Sequence, residues 1–380
     1  MKKHILFGLS FILWVVSFAQ NETDALRYSY FTHGGSARYQ SMGGALGGLG
    51  ADYSVAASNP GALGRFSKSK LSFSVDNNIA TTRTEYNGNT SKGVSNNFTV
   101  SHFSGVFSKD LANKKNDWQF LQFGIGYNRI ANFHSKISSE GINNTSLINV
   151  FANAGQGLQP ADLFYYAPLT TNLAWESYAV DYDAITGTYS PNFSDAPMEH
   201  KRKIERFGGI GEYSAALSAN YKNKLYFGFS FNVQRTNFRE EITHDEYIID
   251  TTGGNLLSSH YTYELKTNGT GFNAKIGFVY LPFDWLRIGV ALHTPTRTHM
   301  TDKWEADLYT VQKDTIREVH PDFKPTGEYK YFMVSPLRGN ISVGAVLNGR
   351  LALGVELELV NYGWAKLRST NDIENYEEYD

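Results

Sequence analysis

The sequence predicts an all-β protein, a transmembrane antiparallel β-barrel. Three observations support this prediction: an export signal, long stretches in which apolar and polar residues alternate, and connections that are alternately short and long. Alternation gives a strand one face for lipid and one for water, which is the pattern of barrel strands. No later segment is apolar enough to span a bilayer as a helix, so residence in a membrane requires a closed sheet.

The N-terminus has the features of a secretory signal. Two lysines precede an apolar run over 5–18. Ser17 and Ala19 supply the small residues that signal peptidase needs. Residues 1–19 are therefore predicted to be a signal peptide that is cleaved before Gln20.

Composition excludes several classes of function. The chain has 380 residues, with 35 Lys and Arg against 37 Asp and Glu, and its net charge of -2 gives no electrostatic basis for binding nucleic acid. It has no cysteine, so disulfides and thiolate metal ligands are excluded. No Gly-x-Ser-x-Gly or His-Glu-x-x-His motif occurs. The sequence therefore predicts no enzyme activity, no cofactor and no metal site.

Alternation is clearest over 225–234. The apolar residues that share one face are Leu225, Phe227, Phe229, Phe231 and Val233. A soluble β-sandwich also alternates, but it seldom keeps five large apolar residues on one face of several strands. Nine strands are predicted, at 69–87, 95–108, 118–133, 205–221, 225–243, 258–281, 285–307, 327–347 and 351–367.

The connections between these strands alternate in length, as short periplasmic turns and long outer loops do. The wall is predicted over 67–380, and its longest outer loop is 134–204. Nine is an odd number, and an unpaired edge in lipid is costly. Together with the acidic segment 371–380, this indicates that C-terminal strands are missing from the sequence.

A glycine-rich segment separates the signal from the first strand, and residues 20–66 are predicted to be a hatch, or plug, inside the lumen. Its run Gly43-Gly44-Ala45-Leu46-Gly47-Gly48-Leu49-Gly50 is not followed by the Gly-Lys-Ser/Thr of a phosphate-binding loop. Small residues instead allow tight backbone paths in a crowded lumen.

The hatch segment carries a resemblance to a known family. Asp52-Tyr53-Ser54-Val55-Ala56-Ala57-Ser58-Asn59-Pro60 resembles the plug of the FadL/TodX family of outer-membrane transporters for long-chain fatty acids and other hydrophobic compounds. Segments 123–129, 282–290 and 360–367 resemble strands of the same family. The family has Asn-Pro-Ala where this chain has Asn59, Pro60 and Gly61. Residue types alone also fit a surface turn here.

The resemblance implies a barrel of 14 strands in the full protein, of which about nine are present, and a monomer in outer-membrane lipid. It implies passive transport of hydrophobic molecules, with long-chain fatty acids as the expected substrate. Apolar residues of the long loop would capture the substrate, namely Leu147, Ile148, Val150, Phe151, Leu158, Leu163, Phe164, Tyr165 and Trp175. The alternative is that these side chains only pack the loop against the barrel mouth.

Gly124 and Gly126 mark the expected exit. Paired glycines weaken a strand, and family members have a kink in the third strand that opens the wall laterally. The alternative is that these glycines make room for the plug. A second function also remains open, because some FadL-like barrels, such as PorV, are docking or shuttle components of a protein secretion system.

Overall fold

The computed structural model describes residues 22–32, 34–111, 117–193, 197–251 and 254–369. The predicted signal peptide, 1–19, and the acidic segment 371–380 lie outside the described residues. None of the described helices is long and apolar enough to cross a membrane.

The described chain is mostly strand. One sheet has fourteen strands, and two short strands form a separate hairpin. The strands are β1 Lys70–Tyr86, β2 Asn89–Asp110, β3 Trp118–Asn132, β4 Ser135–Asn143, β5 Val180–Asp183, β6 Thr188–Pro191, β7 Met198–Tyr221, β8 Leu225–Ile248, β9 Leu256–Phe283, β10 Leu286–His293, β11 Arg297–Gln312, β12 Ile316–Glu318, β13 Thr326–Val334, β14 Arg338–Leu347, β15 Leu351–Val360 and β16 Lys366–Ser369.

Neighbouring strands of the large sheet are antiparallel. The sheet runs in the order β1, β2, β3, β7, β8, β9, β10, β14 and β15; β4 pairs with β7, β11 with β9 and β13, and β13 with β16. Five of the wall strands are continuous. Each of the other four is interrupted and consists of two numbered strands: β3 with β4, β10 with β11, β13 with β14, and β15 with β16. The predicted antiparallel wall of about nine strands is therefore confirmed.

Two of the interruptions fall at prolines. Pro295 lies between β10 and β11, and Pro336 lies between β13 and β14. Proline lacks the N–H that a ladder needs, so pairing breaks at these positions. The predicted single strands 285–307 and 327–347 are therefore each split in two.

An apolar belt covers the half of the wall next to its short turns, such as the turn 221–225 between β7 and β8. We call this end of the wall lower and the opposite end upper. In β8 the outward side chains from Leu225 to Val233 are apolar, and Phe229 and Phe231 are each 51% exposed. The same holds in β15, where Leu351, Val355 and Leu359 are exposed. About nine residues at about 3.3 Å each span about 30 Å, the thickness of a hydrocarbon core. The belt therefore marks the membrane-spanning part of the wall.

The wall continues above the belt, where its outer surface is charged. Exposed ion pairs there include Lys201 with Glu199, at 3.0 Å, and Lys203 with Glu205. The structure has strand rather than loop at 135–143 and 198–204, within the predicted loop 134–204.

An outer subdomain fills the rest of that loop. It contains α3 Leu147–Ala154, α4 Leu163–Tyr166, α5 Thr171–Glu176 and the hairpin of β5 and β6. Its core also includes Leu308 of β11, so the subdomain packs on the wall above the belt.

The segment before β1 lies inside the sheet. It contains α1 Glu22–Ser29, α2 Ala37–Ser41 and two 3-10 helices, Tyr53–Ala57 and Pro60–Arg65. Its buried side chains, Tyr53 and Leu63 among them, share one core with Val106, Tyr226 and Val279 of the wall. We call residues 34–66 the hatch.

Candidate functional site

Asn59 organises the turn at the centre of the hatch. It caps the second 3-10 helix, since its Oδ1 accepts a hydrogen bond of 2.9 Å from the Gly61 N–H. Its Nδ2 donates to the backbone oxygens of Gly47 and Phe278, each at 3.1 Å. Asn59 is 1% exposed, so one buried amide joins two parts of the hatch to a wall strand.

Three glycines of adjacent wall strands form a seat for this turn. A Cβ on Gly277 would lie 2.0 Å from the Asn59 Oδ1, and one on Gly228 would lie 2.2 Å from the backbone of Pro60. A Cβ on Gly289 would lie 2.9 Å from the Asn59 Nδ2. Gly228 and Gly277 are directly paired in the sheet. The hatch therefore fits the wall only because these positions have no side chain.

We call Gly228, Gly277 and Gly289 the glycine seat. Sequence reasoning did not identify these residues as part of the site. The sequence did carry a signal for them, because each glycine lies on the polar, lumen-facing side of an alternating strand.

Polar side chains of the wall also hold the hatch. The Lys275 Nζ donates to the Ala57 oxygen at 3.0 Å and to the Glu212 carboxylate at 2.5 Å. Lys275 is 5% exposed and Glu212 is 1% exposed. The His293 Nε2 lies 2.7 Å from the Ser58 carbonyl, and it must carry the proton because a carbonyl only accepts.

Gly124 and Gly126, the predicted lateral opening, face the Tyr53 ring. A Cβ on either glycine would lie 2.6 Å from that ring, and the Tyr53 hydroxyl donates to the Ser214 oxygen at 2.8 Å. At both glycines β3 is paired with β2 on one side and with β7 on the other. The glycines thus make room for Tyr53 in a closed part of the wall.

The ladder between β2 and β3 ends a few residues higher. Its last pair is His102 with Asn128, and within the described chain β2 pairs above this point only with β1. β1 and β2 form a hairpin, and its upper part packs on β4, where the Thr82 hydroxyl donates to the Lys136 oxygen at 2.5 Å. Between the His102–Asn128 pair and Lys136, β2 is therefore not paired with β3 in the part of the chain that the structure describes. We call this break the β2/β3 split.

The split begins at the upper edge of the apolar belt. On its β2 side Phe98 and Val100 are exposed, and its upper end, Lys136, is paired with Glu205 above the belt. Its two sides are joined by a long side-chain hydrogen bond of 3.4 Å between Asn97 and Asn132. On the inner side, the Thr32 N–H donates to the Ile130 oxygen at 2.7 Å.

An apolar groove of about 640 Å³ lies on the outer surface beside the lower end of the split. Its lining includes Phe103, Ile125 and Tyr213, which face outward, together with Gly126. The split and this groove are next to each other on the outer surface, at the upper edge of the belt.

The nine predicted capture residues lie in the outer subdomain but in three different environments. Ile148, Phe151 and Leu163 are at most 4% exposed, and they form the core of the subdomain. Three others are half-buried against this core: Leu147, Leu158 and Trp175. The remaining three are exposed: Val150, Phe164 and Tyr165.

Exposed aromatic side chains cluster around Phe164. Its ring contacts the rings of Tyr165 and Phe323 edge to face, at centroid distances of 5.8 and 6.2 Å. Tyr166 is also exposed. We call these four residues the outer aromatic patch. Phe323 belongs to a separate loop, so spacing along the chain gave no sign of it.

The core beneath the patch excludes water. Tyr189 packs edge to face on Trp175, at 6.2 Å, and its hydroxyl donates to the Leu158 oxygen at 3.1 Å. Burial in the core of the subdomain raises the pKa of Tyr189 to about 12. The patch is therefore carried by a packed subdomain.

No family model and no curated protein sequence matches the chain. Among solved structures, the chain is similar to the toluene transporter TodX of Pseudomonas putida, at 14% identity and a TM-score of 0.44, over 90% of this chain and 75% of that chain. A second TodX structure matches at 14% identity and a TM-score of 0.46, over 89% and 74%. The deltaS2S3 mutant of TodX, described as a monoaromatic hydrocarbon channel, matches at 12% identity and a TM-score of 0.48, over 90% and 74%.

Proposed function

We propose that this chain is a passive outer-membrane channel for hydrophobic compounds and not an enzyme. The observation that carries the proposal is the β2/β3 split. It interrupts the wall at the upper edge of the apolar belt, beside a lumen that the hatch fills. A hydrophobic molecule that leaves through the split passes from protein into lipid without crossing water.

The energetics favour this route over release into the periplasm. Each methylene group that leaves water contributes about 0.8 kcal/mol, so an acyl chain loses much of its binding energy in water and little of it in lipid. In the proposed path, the outer aromatic patch captures the substrate, and a shift of Asn59, Pro60 and Gly61 opens the lumen.

Gly124 and Gly126 have a supporting role in this path. They hold the Tyr53 ring just below the split, so withdrawal of Tyr53 would free space beside the weakest part of the wall. We propose that this movement, together with release of the hatch from the glycine seat, connects the lumen to the split.

The finer parts of the proposal rest on the sequence. The residue pattern supports a cleaved signal peptide at 1–19 and a barrel wall at 67–380. The family resemblance supports a plug at 20–66, a monomer in outer-membrane lipid, and long-chain fatty acids as the substrate.

A second candidate is a docking component of a protein secretion system. The charged outer surface above the belt, with Lys201, Lys203 and Arg239 in ion pairs, favours this candidate because it would suit a protein partner. The two candidates differ in whether small hydrophobic molecules cross the membrane.

Uptake measurements separate them. The chain is expressed in a bacterial strain that lacks its own fatty-acid channel, and uptake of labelled oleate and labelled toluene is compared with that of the empty vector. A channel increases uptake of at least one compound. A correctly inserted barrel that increases neither would contradict transport of these compounds and favour docking.

A further inference from the structure

Three metal-ligating side chains meet above the belt, where β7 and β8 pair. His200 of β7 lies directly opposite Glu246 of β8, and His244 is two residues from Glu246 on the same strand. Residues two apart on a strand share a face, so the register brings all three side chains together. They are buried, with exposures of 7%, 8% and 2% for His200, His244 and Glu246.

The distances are close to those of a coordination sphere. The His244 Nε2 lies 2.9 Å from the Glu246 Oε1, and the His200 Nε2 lies 3.7 Å from the same oxygen. One ligand atom from each residue lies within 4.8 Å of the others. In a tetrahedral zinc site with bonds of about 2.0–2.1 Å, donor atoms are about 3.3 Å apart. Small side-chain rotations would bring these donors to that spacing.

One ring nitrogen that faces the cluster has no hydrogen-bond partner. It is the buried His200 Nε2, which lies 3.7 Å from the Glu246 carboxylate. Buried polar atoms are normally paired, because an unpaired one has lost its water without compensation. A cation held by the His200 Nε2 would supply this nitrogen with a partner where the protein supplies none.

Outer-shell hydrogen bonds already orient the ligands. The Glu246 carboxylate accepts a bond of 2.7 Å from the Leu147 N–H and a short bond from the Ser146 hydroxyl. The Ser259 hydroxyl lies 3.3 Å from its Oε2. His200 has a backbone hydrogen bond at Thr145. Metal sites in proteins have such supports, which fix the orientation of the ligands.

We propose that His200, His244 and Glu246 bind one divalent transition-metal ion of the zinc class. Two imidazoles and a carboxylate are a ligand set that zinc accepts, with a fourth position left for water. Sequence motifs predicted no metal site because two of the ligands are two residues apart on a strand and the third is on its partner. This spacing matches no helical or thiolate motif.

The position of the site indicates what the ion does. Ser146 and Leu147, which bind Glu246, begin α3, the first helix of the outer subdomain. A metal on Glu246 would fix this junction to β7 and β8. An ion at this position would hold the start of α3, and with it the subdomain and its aromatic patch, on the barrel.

Cobalt binding tests the proposal on the full chain. The protein is purified in detergent with a tag that contains no histidine, stripped with a chelator and titrated with Co²⁺. We expect one cobalt per chain with the visible absorption of nitrogen and oxygen ligands. His200→Asn should weaken binding by at least about tenfold, since loss of even an outer-shell partner costs about 10–100-fold.

His260→Asn is the matched control. His260 also pairs with a carboxylate, Asp245, at 3.0 Å, but no third ligand joins this pair in the described metal-ligand groups. It should bind cobalt as the unchanged chain does. A folded barrel changes its electrophoretic mobility when it is heated, and this change shows that each variant is folded.

A second readout does not depend on cobalt spectroscopy. Zn²⁺ should protect the segment 144–197 from limited proteolysis in the unchanged chain and in His260→Asn, but not in His200→Asn. Absence of stoichiometric cobalt from the unchanged chain, or equal binding by folded His200→Asn, would overturn the proposal.

Discussion

The Asn59 amide donates a hydrogen bond of 3.1 Å to the backbone oxygen of Phe278. This bond joins the hatch to β9 near the C-terminal end of the strand, next to Gly277 of the glycine seat. The hatch therefore cannot leave its position without breaking a buried hydrogen bond. We interpret this contact as the latch of the closed channel.

Replacement of the latch should open the hatch more often. Asn59→Ala leaves the oxygens of Gly47 and Phe278 without their donor, which costs about 1–3 kcal/mol per buried unpaired group. For the two oxygens together this is about 2–6 kcal/mol. A factor of ten in an equilibrium corresponds to about 1.4 kcal/mol, so we expect ion leakage through planar bilayers to rise by about 1.5 to 4 powers of ten. Asn237→Ala, which instead removes an exposed hydrogen bond to Asn268 of the wall, should not leak. Equal conductance of both variants would contradict the latch.

A side chain in the glycine seat should displace the hatch while leaving the barrel folded. Gly277→Ala places a Cβ 2.0 Å from the Asn59 Oδ1, whereas Gly339→Ala places one where no atom lies within 4 Å. We expect leakage and faster proteolysis of the hatch in Gly277→Ala, with Gly339→Ala unchanged. A tightly closed, protease-resistant Gly277→Ala would show that the seat does not position the hatch.

The buried ion pair of Lys275 and Glu212 should contribute to stability as a unit. Lys275→Met leaves a buried carboxylate without its cation, and loss of one partner of such a pair costs about 3–5 kcal/mol. The urea midpoint of unfolding in detergent should fall clearly. Lys201→Met, in an exposed pair, should change it little. A midpoint for Lys275→Met close to that of the unchanged chain would refute this role.

The outer aromatic patch should set the affinity for substrate. Tyr165→Ser removes a side chain that is 79% exposed in the patch, while Ile185→Ser removes one that is 96% exposed elsewhere in the subdomain. Tyr165→Ser loses the partial burial of one aromatic ring against the substrate. We therefore expect the half-saturating substrate concentration of uptake to rise about three- to tenfold. The control should show no change. An equal effect of both replacements would mean that the patch has no specific role in capture.

The wall was predictable because alternation of apolar and polar residues is a local signal. The strands around Phe229 and Val355 therefore appeared in the sequence with the correct faces. The breaks at Pro295 and Pro336 could also have been predicted, since proline interrupts a ladder wherever it occurs.

The site was harder to predict because it depends on contacts between distant residues. Asn59 was identified from its motif, but its seat requires knowing that Gly228 and Gly277 are paired and face the lumen. Likewise, helical spacing of apolar residues cannot separate a subdomain core, such as Ile148, from an exposed surface, such as Tyr165.

The central claim is that substrate leaves through the β2/β3 split, and a reversible cross-link tests it most directly. The chain has no cysteine, so paired cysteines at Asn97 and Asn132 would join only the two sides of the split. A matched pair at Asn237 and Asn268 would join β8 and β9, which are already paired there.

Oleate uptake is measured with each pair oxidised and then reduced. We predict that oxidation of the split pair abolishes uptake, that reduction restores it, and that oxidation of the control pair has no effect. Full uptake by protein whose split is completely cross-linked would contradict lateral exit through the split.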